Sequence, residues 1–109
     1  MRRHFQGLYV RLLRANVAVR QRLFQIWLGR RKAELAEADL SYLNLSGTVL
    51  SGADLRGAIL VRSDLTGVNL AGADLSDADL RGARVTAEQL AQAKSVAGAI
   101  LPDGSIGLP

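Results

Sequence analysis

Ten carboxylates, a single histidine and no cysteine bound the chemistry open to this chain. Paired acids can serve as general acid and general base. Here, however, Glu34, Asp39, Asp54, Asp64, Asp74 and Asp79 each stand directly before a leucine. They belong to a repeat and read as solvated outward positions. His4, with no cysteine to join it, falls short of a zinc ligand set. The glycines recur by fives, which is the spacing of corners and not of a phosphate-cradling loop, and no nucleophile elbow is present. The expectation is a non-enzyme with no catalytic residues, no metal and no cofactor. Without cysteine there is neither a disulfide nor a thiolate to fix the redox compartment.

The element that positions these side chains runs over residues 33–87. Leu35, Leu40, Leu45, Leu50, Leu55, Leu60, Leu65, Leu70, Leu75, Leu80 and Val85 return every fifth residue without a slip. Two places before most of them sits a small residue, as at Ala38, Ala53, Ala58, Ser63, Ala73 and Ala78, with Leu43 and Val68 as larger exceptions. Helical burial repeats every 3.6 residues and strand burial every 2. A strict five fits neither, and demands a coil that turns a corner once per repeat and stacks on itself. Residues 20 apart then lie above one another at about 4.8 Å, so the leucines named from Leu35 to Leu80 form the structural core. Each contributes about 1.5 to 3 kcal/mol on burial. Gly47, Gly52, Gly57, Gly67, Gly72 and Gly82 fill the fifth slot, where a corner requires positive φ. Glu37, Tyr42, Arg62 and Asp77 break that rule, and departures of this kind mark function or an altered corner.

Runs such as Ala53-Asp54-Leu55-Arg56-Gly57 and Ala78-Asp79-Leu80-Arg81-Gly82 resemble the pentapeptide-repeat family, whose unit is Ala-(Asp/Asn)-Leu-X-X. The resemblance implies a mainly β fold, a right-handed quadrilateral β-helix in which four pentapeptides make one square coil. Eleven repeats give about three coils. Around this β-helix the sequence predicts a basic amphipathic α-helix in residues 1–32 and a short carboxy-terminal capping helix within a cap and tail over residues 88–109. Thr86 as N-cap with Gln89 at N3 reads as a capping box for a helix through about Lys94. Leu90 and Ala93 would seal the last coil, Ala99-Ile100-Leu101 would add a strand, and the Pro102-Asp103-Gly104 turn would precede a loose end at Pro109.

The net charge of +4 conceals two opposed halves. Residues 1–32 hold nine of the fourteen basic residues and no acid, whereas residues 33–109 hold five bases and all ten acids. In the first segment Phe5, Leu8, Tyr9, Leu12, Leu23, Phe24, Trp27 and Leu28 share or border one broad helical stripe. Arg11, Arg14 and Arg22 lie opposite, and Arg30, Arg31 and Lys32 follow Gly29 at the stop. Three roles are open to this helix: a cap on the end of the solenoid, a docking face for a partner protein, or an interfacial membrane helix whose cations contact anionic lipid. Charges interrupt it before any run of about 18 apolar residues, so it does not predict a transmembrane span, and it does not resemble a secretory signal. The expected location is cytoplasmic, with a peripheral membrane position as the variant.

On the β-helix, Tyr42, Ile59, Val61 and Arg62 fall on one side and form a small apolar patch, a candidate protein-interaction face. Glu34, Glu37, Asp54, Asp74 and Asp77 form an acidic strip on another side. The functional expectation is a protein-interaction or assembly module, a rigid scaffold docked by its basic helix onto another protein or a multi-subunit complex. A peripheral membrane adaptor is the alternative. The family resemblance adds a third: some members mimic double-stranded DNA and bind type II topoisomerases. Direct nucleic-acid binding is disfavoured, because the helix's apolar arc suits phosphates poorly.

Overall fold

The computed structural model describes residues 34–109. The amino-terminal helix expected from the sequence lies outside the described residues.

From Glu34 onward the chain winds as a four-sided column. Parallel β-bridges join Glu34 to Asp54 and Asp54 to Asp74, Asp39 to Ile59 and Ile59 to Asp79, Asn44 to Asp64 and Asp64 to Arg84, and Val49 to Asn69. Each joins residues 20 apart, which is one turn of four pentapeptides. Sides one to four are named for their central residues: Leu35, Leu55 and Leu75; Leu40, Leu60 and Leu80; Leu45, Leu65 and Val85; Leu50 and Leu70.

The ladder follows from the five-residue unit. On side one, Leu35 donates its N–H to the Asp54 carbonyl at 2.9 Å and Glu37 donates to Arg56 at 2.8 Å. From the coil above, Asp74 donates back to the Ala53 carbonyl at 3.0 Å. The chain then folds at once, Ala38 donating to the Leu35 carbonyl at 3.1 Å across a turn whose third residue, Glu37, has φ 61°. Each side thus has room for one bridged residue. Among the described residues there is no longer strand, so the β-structure expected from the sequence is a stack of single bridges.

The turn explains the corner slot. A left-handed third residue is the conformation glycine tolerates best, yet Tyr42, Arg62 and Asp77 adopt it as well, with φ of 64°, 55° and 61°. The ladder on both flanks imposes that geometry whatever side chain is present.

The core is a filled tube. Leu35, Leu40, Leu45, Leu50, Leu55, Leu60, Leu65, Leu70, Leu75 and Leu80 are fully buried, together with the small-slot residues Ala38, Ala53, Ala58, Ser63, Ala73 and Ala78. Ser63 enters this apolar interior because its Oγ donates to the Leu60 carbonyl at 2.8 Å, which satisfies a group that would otherwise be costly to bury. The Thr48 hydroxyl does the same for the Leu45 carbonyl.

After Val85 a helix, α1 (Ala87–Ala91), replaces the fourth side of the third coil. The expected capping box is present: Thr86 Oγ1 accepts from the Gln89 N–H at 3.1 Å, and Gln89 Oε1 accepts from the Thr86 N–H at 2.8 Å. The same Gln89 amide donates to the Leu65 and Val68 carbonyls at 2.8 and 3.0 Å. It thereby fastens the helix to the coil beneath. The helix ends at Ala91, short of the expected Lys94, because Gln92 caps it and passes its carbonyl to the Gly72 N–H at 2.9 Å. This detour adds one residue, so the next bridges, Asp74 to Ser95 and Asp79 to Ile100, step by 21. Leu90, Ala93, Val96 and Leu101 pack against the core from above.

The tail is held as far as Gly107. Ile106 pairs antiparallel with Ile100, and Gly107 donates to the Ala99 carbonyl at 2.8 Å while accepting from Gly98 at 3.1 Å. Gly107 runs so close to the Val96 carbonyl that any Cβ would collide with it.

Candidate interaction surfaces

The outward carboxylates are bound into the backbone. In one repeat after another the residue before the central leucine accepts from the N–H two residues on: Ser41 to Asp39, Ser46 to Asn44, Thr66 to Asp64, Ala71 to Asn69 and Ser76 to Asp74, at 3.0 to 3.1 Å. The hydroxyls of Ser41, Ser46, Thr66 and Ser76 add a second bond of 2.5 to 2.6 Å to the same oxygen. These are Asx turns, the local side-chain turns that Asp and Asn favour. Arginine does the same work on two sides, where Arg56 grips Asp54 and Arg81 grips Asp79 through Nε and Nη2, both closing at 2.7 Å.

These bonds set the electrostatics. The Thr66 hydroxyl and N–H hold Asp64 below the usual carboxylate range, and the Ser76 hydroxyl and N–H do the same for Asp74. The Arg81 side chain lowers Asp79, and Asp103 is lowered by Ser105 in the carboxy-terminal turn. Reciprocally, the hydrogen bonds to Asp54 and Asp79 raise the already high values of Arg56 and Arg81. A carboxylate stabilised in its charged form is a poor proton carrier at neutral pH. The strip read from the sequence as solvated acid is therefore partly turn scaffold, with Asp54 and Asp74 committed and Arg56 neutralising part of its charge. Among the described residues no group of three or more potential metal ligands converges.

Side two has a different surface. Tyr42 is 56% exposed and Ile59 is 40% exposed, with Val61 half-buried and Arg62 exposed. Tyr42 donates its N–H to the Val61 carbonyl at 2.9 Å, and Arg62 stands one coil above Tyr42 in the same corner column. The structure thus brings Tyr42, Ile59, Val61 and Arg62 together. The residues proposed for a helix face (Phe5, Leu8, Tyr9, Leu12, Leu23, Phe24, Trp27 and Leu28) and for anion contact (Arg11, Arg14, Arg22, Arg30, Arg31 and Lys32) lie outside the described residues.

Sequence reasoning missed three exposed apolar residues: Val49 on side four, and Ile106 and Leu108 in the tail. Val49 was legible, since it occupies the slot before a central leucine exactly as Ile59 does; the tail residues carry no periodic signal. It also missed the Asx turns, whose signature is Asp or Asn followed two places later by Ser, Thr or Arg.

Open depressions lie along the corners, one lined by Ala36, Glu37, Arg56, Gly57 and Asp77 and another by Thr66, Gly67, Arg84, Val85, Thr86 and Gln89. Neither gathers groups that could perform a reaction.

A square column of stacked five-residue units with satisfied outward turns is a solenoid of the repeat-protein class. The sequence model for pentapeptide repeats matches in eight copies over residues 33–70 and 48–86. The chain belongs to the pentapeptide-repeat family, whose fold is a right-handed β-helix. Among solved structures it is similar to HetL, a pentapeptide repeat protein involved in heterocyst differentiation regulation from the cyanobacterium Nostoc sp. strain PCC 7120. That match has 36% identity and a TM-score of 0.44, and covers 67% of this chain and 40% of HetL. A second pentapeptide repeat protein of Nostoc PCC 7120 is 30% identical with a TM-score of 0.23, covering 71% of this chain and 69% of its own. A comparison with curated proteins finds no match.

Proposed function

We propose that this protein is a non-enzymatic interaction module that presents side two to another protein or a multi-subunit complex. The observation that carries this reading is Tyr42. A tyrosine occupies a left-handed corner that glycine fills in most other repeats, at a backbone cost of about 1 to 2 kcal/mol, and its ring is more than half exposed. Tyr and Arg are the side chains most often found at the energetic centres of interfaces, and here they stack in one corner column beside Ile59 and Val61. Pentapeptide-repeat proteins are generally non-enzymatic, which agrees with the turn-bound carboxylates.

Docking through the basic amino-terminal segment and attachment to an anionic membrane are finer readings that rest on residues 1–32, outside the described residues; mimicry of DNA toward a type II topoisomerase is a third. Among the described residues no helix is long and apolar enough to cross a membrane, which leaves the peripheral reading untouched. The DNA-mimic reading is weakened by Arg56 and Arg81, which neutralise acids on two sides.

Site-specific photocrosslinking in the native host tests the proposal. A photoreactive residue at position 42 or 59 should trap one defined protein, and the same residue at position 49 on side four should not. Equal capture from both sides, or none from side two, would refute it.

A further inference from the structure

Side two departs from the pattern of outward turns at one level. Between Ser41 and Arg81 an Asp or Asn side chain takes the N–H two places further on in repeat after repeat. Asp39 and Asp79 do so in the coils below and above on this same side, accepting from Ser41 and Arg81. In the second coil Ile59 holds that slot and offers no oxygen. Among the described residues no acceptor meets the Val61 N–H. One other repeat in this range lacks the bond, at Ser51 on side four, where Val49 holds the slot. There the corner residue is Gly52 and brings no charge, whereas here it is Arg62. Arg62 also differs from Arg56 and Arg81, which spend their charge on Asp54 and Asp79. Among the described residues no ion pair engages it, and it is exposed. Its stem is held in place over Gly82, where a Cβ would come within 3.0 Å of Arg62 Cγ.

We propose that the Val61 N–H and the Arg62 guanidinium form a carboxylate-binding site, which the partner of side two fills with an aspartate or glutamate flanked by apolar residues. This rests on the reading of side two as a docking face and names the chemistry of what docks there. Arg81 shows that chemistry one level up. An Asp79 oxygen accepts from the Arg81 N–H at 3.2 Å and from Nε at 2.9 Å, and Nη2 closes on the other oxygen at 2.7 Å. Charge-assisted, two-pronged pairs of this kind are the strong ones. At Val61 and Arg62 the same kinds of donor are present, and the acid has to come from outside. The acids of side two do not compete for the role, because Asp39 is bound by Ser41 and Asp79 by Arg81. Tyr42 and Ile59, exposed on the same surface, supply the contact for the apolar neighbours of that acid. A lone guanidinium suits the single charge of a carboxylate better than the two charges of a phosphate.

Titration of the full-length chain with small probes at constant ionic strength, followed by nitrogen-15 NMR, tests the site without knowledge of the partner. The probe is 3-phenylpropionate, a carboxylate with an apolar tail, set against acetate, phenethylamine and phenyl phosphate. 3-Phenylpropionate should shift the Val61 N–H and the Arg62 Nε resonance, and should half-saturate at several-fold lower concentration than acetate. Phenethylamine should shift neither. The Arg81 Nε resonance, already paired, and the Ser51 N–H, which has no arginine beside it, should stay in place. Arg62→Gln should abolish the response. Arg62→Lys, which keeps the charge and loses the two-pronged geometry, should weaken it several-fold. Equal shifts at Arg81 or Ser51, acetate binding as well as 3-phenylpropionate, or an undiminished response in Arg62→Gln would each overturn the site. Tighter binding of phenyl phosphate would overturn the choice of a carboxylate. Silence in these titrations with a protein trapped at position 42 would remove the carboxylate and leave the docking face. A response here with nothing trapped would leave the site and remove the docking face.

Discussion

Sides two and four of the column are built on the same plan and present opposite surfaces. Both bury central leucines completely, Leu40, Leu60 and Leu80 on one and Leu50 and Leu70 on the other. Both close their turns at positive φ, through Tyr42, Arg62 and Gly82 on side two and through Gly52 and Gly72 on side four. Side four is uncharged, with Val49, Ser51, Asn69 and Ala71 outward, whereas side two mixes Asp39, Asp79 and Arg81 with Tyr42 and Ile59. The inward slots answer to the stack and are interchangeable between sides. The outward and corner slots are where one side acquires a character of its own, and at Tyr42 and Arg62 it does so against the backbone's preference.

The largest effect should be indifferent to that distinction. Leu60→Ala on side two and Leu70→Ala on side four should each lose about 2 to 5 kcal/mol, the usual range for emptying a packed site, measured by urea unfolding. A loss confined to one side would break the equivalence of the columns.

Corner exchange comes next. Gly52 has φ of 71° and open space around its missing Cβ, so Gly52→Tyr meets only backbone strain and should cost about 1 to 2 kcal/mol. Tyr42→Gly should leave thermal stability unchanged or raise it by up to about 1 kcal/mol, while abolishing capture of the partner at side two. A marked loss of stability in Tyr42→Gly would show that the tyrosine is structural.

Acid should produce the smallest difference between the sides. Asp64, Asp74 and Asp79 have folded-state values below those of the unfolded chain. Between the two values the unfolded chain binds more protons, so the stability these groups contribute is present above about pH 4 and is lost as pH falls through the folded values. Side four holds Asn69 in the equivalent slot, accepting from Ala71 with no charge to titrate. Asp74→Asn should keep its turn and flatten the acid limb of a melting-temperature profile recorded from pH 7 to pH 2. An unchanged acid limb would place the acid sensitivity elsewhere.

Much of this could be read from residue spacing. The five-residue beat specified the buried leucines, the corner slot and the location of its exceptions, because a solenoid repeats one local solution and each repeat states it again. The capping box at Thr86 and Gln89 was legible for the same reason, being contained within four residues. The end of α1 was not. It depends on Gln92 meeting Gly72 across a full coil, and no local propensity encodes that bond. The pairing of Ile106 with Ile100 escaped notice too, since the tail has no period and finds its place only after the third coil exists to receive it.

By itself, then, the sequence determined a stack with leucines inside and a glycine-tolerant corner at every fifth residue, because burial and backbone sterics act within a single unit. Tertiary structure alone decided that Gln89 binds two carbonyls of the preceding coil, that Gln92 ends α1 by meeting Gly72, and that Ile106 pairs with Ile100. Those outcomes depend on which residues the winding brings to neighbouring levels and on how far each side chain reaches once there.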